Sequence, residues 1–134
     1  ALMPALDTNV LVRFLVRDDP AQAAAATEVL GRVTAAGEAL FVPITVALEI
    51  EWVLRSNYGF PKADIARTFG TLLSTRELSF ESEAALEHAL LLWQERRADF
   101  SDCVHVALAA QAGEQPLWTF DKRASALPGA GMLR

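Results

Sequence analysis

The sequence predicts an α/β fold, a three-layer α/β/α domain built on a parallel sheet. Three observations point to it. Short apolar runs that read as strands alternate with longer runs whose apolar residues recur at helical spacing. The intervening helices are long enough to act as crossovers, which run right-handed and keep the strands of one sheet parallel. Finally, Asp7 and Asp121 each follow an apolar strand directly. In a parallel sheet the carboxyl ends of the strands share one edge, and that edge is where ligands bind.

Size and composition agree with this class. The 134 residues, 52% hydrophobic and 22% charged, suit one domain with a real core, expected over residues 3–134. Ala1 and Leu2 precede Met3 and are read as a tag remnant without structural weight. No apolar run approaches the ~18 residues of a membrane span, and no charged segment with an apolar signal core opens the chain, so a cytoplasmic protein is expected. The single cysteine, Cys103, excludes an internal disulfide and a cysteine-based zinc site, and is expected to be buried. A net charge of −5 argues against a broad basic surface for nucleic acid, but not against an enzyme whose excess acid is gathered at a metal.

Taken in order, the chain opens with a short apolar strand running into Asp7. Asp18-Asp19-Pro20 reads as a helix start, with an acid at the cap and Pro at the first helical position. The alanine-rich run from Ala21 to Ala36 follows, with Gly37 as its stop. Ala39 to Val42 is a strand closed by Pro43. Thr45 is placed to cap the next helix, which runs to the breaker Asn57-Tyr58-Gly59. Pro61 opens a helix carrying Ile65, Phe69, Leu72 and Leu73. Leu78-Ser79-Phe80 is a weak strand, and Ser82 caps a helix with Ala85, Leu86, Ala89, Leu90 and Trp93 near one face. Another helix spans Asp99 to Ala112 and ends at Gly113. Pro116 to Phe120 is a strand terminating at Asp121, followed by a helical turn near Lys122 to Ser125 and an edge strand at Met132-Leu133.

The acids carry the chemistry. Asp7 stands at the ligand edge, with Thr8 and Asn9 able to support the helix start beside it. Helix geometry separates Glu49 from Glu51. Glu51 has Arg55 four residues later, in the favourable order for a solvated ion pair. Glu49 shares a face with Val46, Trp52 and Val53, and a carboxylate on an apolar face needs a metal, a base or water at its edge. Asp99 and Asp102 lie three apart at a helix start, where they serve either as cap and first-turn acids or as cation ligands. His88 and His105 form no zinc-type pair and receive no catalytic role. Carboxylates without histidine or cysteine favour a hard cation, Mg²⁺ or Mn²⁺.

Four fragments, Leu6-Asp7-Thr8-Asn9-Val10-Leu11-Val12-Arg13, Leu48-Glu49-Ile50-Glu51-Trp52-Val53-Leu54-Arg55, Ala98-Asp99-Phe100-Ser101-Asp102 and Thr119-Phe120-Asp121-Lys122, occur in this order at these separations. Together they resemble the PIN-domain family, and within it the ribonuclease toxins of VapBC-type toxin–antitoxin pairs. The resemblance implies a metal-binding quartet at Asp7, Glu49, Asp102 and Asp121, with Asp99 as an additional acid and Thr8 and Thr119 as polar supports. It implies a sheet of four or five parallel strands, one or two Mg²⁺ or Mn²⁺ ions, hydrolysis of RNA phosphodiester bonds by metal-activated water, a homodimer and a partner antitoxin. Arg13 and Lys122, which follow two of the acids, are candidates for phosphate contact.

Other readings fare less well. A phosphatase with an aspartyl nucleophile wants a second aspartate two residues after the first, where Asn9 stands. A receiver-like signalling domain wants paired acids just after the first strand, and Asp18 and Asp19 come too late. A PIN-like RNA-processing nuclease outside a toxin system and a non-catalytic interaction module remain open at this stage.

Overall fold

Helix capping and proline placement set most of the element boundaries in a computed structural model that describes residues 2–134, so the expectation for Ala1 lies outside the described residues. The described chain forms two compact units, the first ending at Glu81 and the second covering Ser82–Arg134.

In the first unit, α1 (Thr8–Val16) starts at Asp7 and ends at Arg17, whose φ of 61° is left-handed. Helix α2 (Pro20–Ala36) follows, with Pro20 at its first position and the Asp19 side chain accepting from the Gln22 amide. Gly37 stops it at φ 68°, a conformation that glycine adopts without the Cβ penalty. Strand β1 (Leu40–Val42) pairs in parallel with β2 (Leu78–Phe80), in the register Leu40 to Leu78 and Val42 to Phe80. Between them run α3 (Ile44–Ser56) and α4 (Lys62–Leu73). Leu11, Leu40, Val42, Ile50, Leu54, Ile65 and Phe69 are fully buried and form the core here.

The second unit holds α5 (Glu83–Glu95), α6 (Phe100–Gln111), β3 (Leu117–Thr119), α7 (Lys122–Ser125) and β4 (Ala130–Met132). Helices α5 and α6 pack on each other, with Leu86, Ala89, Trp93, Phe100 and Val104 buried and the rings of Trp93 and Phe100 meeting edge-on with centroids 5.1 Å apart. Cys103 is buried, as expected of a small apolar residue. Strands β3 and β4 pair in parallel.

The α/β class and the parallel sense of the strands are as the sequence predicts; the details differ in four places. The expected sheet of four or five strands takes the form of two two-stranded parallel pairings among the described residues. The strand expected before Asp7 is reduced to one parallel bridge, Ala5 to Phe41, with Leu6 donating to the Phe41 carbonyl at 2.9 Å and Phe41 to the Pro4 carbonyl at 2.7 Å. Pro4 has no N–H to carry the ladder further. Helix α3 begins at Ile44, not after a Thr45 cap, because the Glu81 carboxylate accepts from the Ile44 amide at 2.8 Å across 37 residues of sequence. Ser82 precedes α5 but adopts φ 54° and makes no capping bond. No described helix is long and apolar enough to cross a membrane.

Candidate functional site

Asp7 and Glu49 are brought together in the first unit by the residue between them in space, Thr8. The Asp7 carboxylate caps α1 by accepting from the Thr8 amide at 2.7 Å, and the Thr8 hydroxyl donates to Glu49 Oε1 at 2.8 Å. Thr8 is only 7% exposed, while both carboxylates face solvent. One buried threonine thus fixes the geometry of two exposed acids, its hydroxyl reaching Glu49 across 41 residues of sequence. They line a cavity of about 320 Å³ together with Asn9, Arg13 and Tyr58.

The structure corrects the neighbour argument that sets Glu49 on a face wanting burial and Glu51 in solvent. The Glu49 face, with Trp52 54% exposed, is the open side of α3; the buried stripe is Val46, Ala47, Ile50 and Leu54, and it takes in Glu51 at 5% exposure. Glu51 does pair with Arg55, at 2.6 Å, but its carboxylate is buried and only the guanidinium is exposed. Tryptophan is large and amphipathic and is rarely buried completely, so Trp52 does not mark the buried side of α3.

Arg13 forms part of the same cavity wall through a network that the sequence did not suggest. Its Nη1 donates to Tyr58 Oη at 2.8 Å and to Asp18 Oδ1 at 3.1 Å, its Nε donates to Gln22 at 2.8 Å, and the Tyr58 hydroxyl donates to Asp18 Oδ2 at 2.7 Å. The Tyr58 hydrogen bond, helped by the Arg13 charge, holds the Asp18 carboxyl below its ordinary value. The same bond to Asp18 pushes the Tyr58 phenol up. The only signal for it in the sequence is an aromatic inside the breaker Asn57-Tyr58-Gly59.

In the second unit, Asp99 stands at the cap of α6 and Asp102 in its first turn, as the helix start predicted. The Asp99 side chain makes no capping bond, so its exposed carboxylate is not spent on the helix end. Asp102 is half-buried; burial raises its pKa most, and the charges of Asp121 and Asp99 raise it further, against a smaller opposing pull from exposed His105. Asp121 caps α7 by accepting from the Ala124 amide at 2.8 Å, and its own amide donates to the Thr119 hydroxyl at 3.0 Å. Asp99 and Asp121 line a cavity of about 300 Å³ with Lys122 and Arg123. His88 is exposed and lines neither cavity.

The model of the PIN domain matches residues 5–130, nearly the whole chain. The chain belongs to the PIN domain family. It is also similar to a protein of Aquifex aeolicus (strain VF5) described as VapC ribonuclease, with 27% identity over 121 residues, covering 90% of this chain and 89% of the relative.

The donor chemistry of this PIN domain suits a hard divalent cation. Every candidate ligand is a carboxylate oxygen, and the repulsion that raises Asp102 is what a bound cation would relieve. Among the described residues no three of His, Cys, Asp and Glu converge tightly enough to form a complete cage. Mg²⁺ does not need one, since it is commonly held by one or two carboxylates and keeps several waters. In the first unit the Asp7 and Glu49 carboxylates share one cavity, and in the second Asp99 and Asp121 share another, with the charges of both felt by Asp102.

Proposed function

We propose that this PIN domain is a metal-dependent endoribonuclease, the toxin of a toxin–antitoxin pair. Membership of the PIN family over residues 5–130 carries the reading, supported by the relative described as VapC ribonuclease and by an acid at every position of the family pattern. The substrate is RNA, the cation Mg²⁺ or Mn²⁺ as one or two ions, and the partners a cognate antitoxin and a second copy of the chain. The setting is the cytoplasm.

Asp7 and Glu49 of the first unit, and Asp99, Asp102 and Asp121 of the second, would hold the cation. A bound cation would acidify water and would stabilise charge on the phosphoryl and leaving oxygens. Thr8 holds Glu49 in place through its 2.8 Å bond, so Glu49 presents one oxygen to the cavity in a defined orientation. Thr119 plays the corresponding part for Asp121 by fixing its backbone amide, with Asn9 supporting the start of α1. Arg13 and Lys122 supply phosphate contacts that a protein of net charge −5 otherwise lacks. Unstacked bases in loops and single strands are the natural targets, since duplex RNA hides its base edges.

The test is cleavage of transfer, ribosomal and unstructured RNAs by antitoxin-free protein, with Mg²⁺ or Mn²⁺ against a chelator. The expected result is cation-dependent cutting that Asp7→Asn reduces by at least ~10²-fold. Cutting that survives both the chelator and the substitution would overturn the acidic-site mechanism. A parent protein that neither cuts nor binds RNA would move the chain to the interaction modules.

A further inference from the structure

We propose that Arg13 anchors a backbone phosphate of the RNA at the Asp7–Glu49 cavity, and that Tyr58 and Asp18 are positioning residues that aim its guanidinium. The proposal rests on the ribonuclease reading and deepens it by naming how one unit grips the chain it cuts.

A guanidinium has five N–H donors in a rigid fork. In Arg13, Nε is taken by Gln22, and Nη1 gives its two donors to Tyr58 and Asp18. Among the described residues Nη2 has no hydrogen-bond partner. Three side chains from the α1–α2 turn, the first turn of α2 and the α3–α4 turn therefore hold two nitrogens of the group, and the third is left to something else. Arg13 lines the same cavity as Asp7 and Glu49. A lone surface arginine loses side-chain freedom when it takes a ligand; one already fixed does not.

Tyr58 is central to the arrangement. Its oxygen accepts from Arg13 and its hydrogen goes to Asp18, so a single hydroxyl joins the cation to the anion without a proton to spare. The reach is long in sequence, 45 residues from Arg13 and 40 from Asp18. A surface ion pair alone would be worth little and would wander. With the phenol and the Gln22 carbonyl added, the guanidinium plane is set. The chemistry recognised is a phosphodiester oxygen, the ligand that such a fork suits.

The experiment uses the full chain with Asp7→Asn as the non-cutting reference and a fluorescein-labelled single-stranded oligoribonucleotide as probe, its Kd followed across salt concentration. Arg13→Gln should weaken binding about tenfold and flatten the slope of log K against log salt by ~0.7, the signature of one lost phosphate on a single strand. Arg13→Lys, which keeps the charge but not the fork, should keep the slope and recover only part of the affinity. Asp18→Asn separates positioning from charge. Removing an acid from an acidic protein should tighten RNA binding if net charge alone matters, whereas loss of positioning weakens it, and about threefold weakening is expected. Tyr58→Phe should weaken binding similarly, but have no further effect once Arg13 is Gln, a coupling that a merely structural tyrosine would not show.

An unchanged salt slope in Arg13→Gln, with the reference still binding, overturns the anchor and leaves the ribonuclease reading intact. Tighter binding by Asp18→Asn overturns the positioning role. No binding by the reference at any salt overturns the ribonuclease reading, and the anchor with it.

Discussion

Thr8 shows how much one side chain organises. Its amide donates to Asp7 and its hydroxyl to Glu49, and it is buried where they are exposed. Thr8→Val keeps the shape and removes the hydroxyl. The expected cost is about 1 kcal/mol in denaturant unfolding, because the bond runs to a carboxylate that water still reaches. RNA cleavage should fall roughly tenfold, since Glu49 loses its fixed rotamer. Asp102 makes a prediction in pH. Its pKa is raised in the folded chain, by burial first and then by the charges of Asp121 and Asp99. The folded state therefore holds the proton to higher pH than the unfolded one, so the stability it confers is complete below the ordinary carboxylate value and is lost as pH rises through the raised one. Above that range the carboxylate gains nothing from its folded surroundings without a cation. Asp102→Asn should accordingly remove that part of the pH dependence and raise the melting temperature of the metal-free protein above the parent's as pH rises. Melting of parent and variant in chelator across pH 4 to 8 checks both (range ~4–8).

Helix ends allow a comparison at the scale of elements. Asp19 caps α2 with a bond to the Gln22 amide, and Asp99 stands at the same position of α6 with no such bond. Asp19→Ala should therefore cost about 1 kcal/mol, and Asp99→Ala at most ~0.5 kcal/mol, while its effect on cleavage is the larger of the two. Equal destabilisation by the two substitutions would show Asp99 to be an ordinary cap. The two starts look alike in sequence, an acid before a helical run, and differ only in where the carboxylate turns. Glu81 makes the converse point. It caps α3 from the end of β2, 37 residues away, and no local pattern announces a cap of that kind.

For the molecule as a whole, net charge decides how it meets its ligands. At −5 it repels RNA except where a cation or a fixed guanidinium intervenes. Binding of a cation to clustered carboxylates in the folded state alone should raise the melting temperature, with a stabilisation of about 2.7 kcal/mol at a hundredfold excess over Kd. Mg²⁺ titrated into antitoxin-free protein is expected to give this increment, and Asp7→Asn with Asp102→Asn to remove most of it. A melting temperature indifferent to Mg²⁺ and Mn²⁺ in the parent would count against the carboxylates as ligands.

Much of this was legible in the sequence because it is local. Apolar spacing, Pro20, Gly37 and the acid preceding each helix depend on residues within a turn or two, and they located α2, α4, β2, α6 and α7 to within a residue or two. The family pattern singled out Asp7, Glu49, Asp99, Asp102 and Asp121 because their spacing survives in the linear chain. Tertiary structure decided what depends on distant partners. The first strand shrank to a bridge because Pro4 cannot extend the ladder, α3 was capped by Glu81, and Tyr58 and Asp18 became neighbours of Arg13. Glu51 was buried and Glu49 exposed because the side of α3 that packs is chosen by the core it meets, Ile50 and Leu54 against the rest of the unit, and not by the residues of the helix alone. Hydrogen bonds and burial are settled by what arrives in space, and sequence separation carries no record of it.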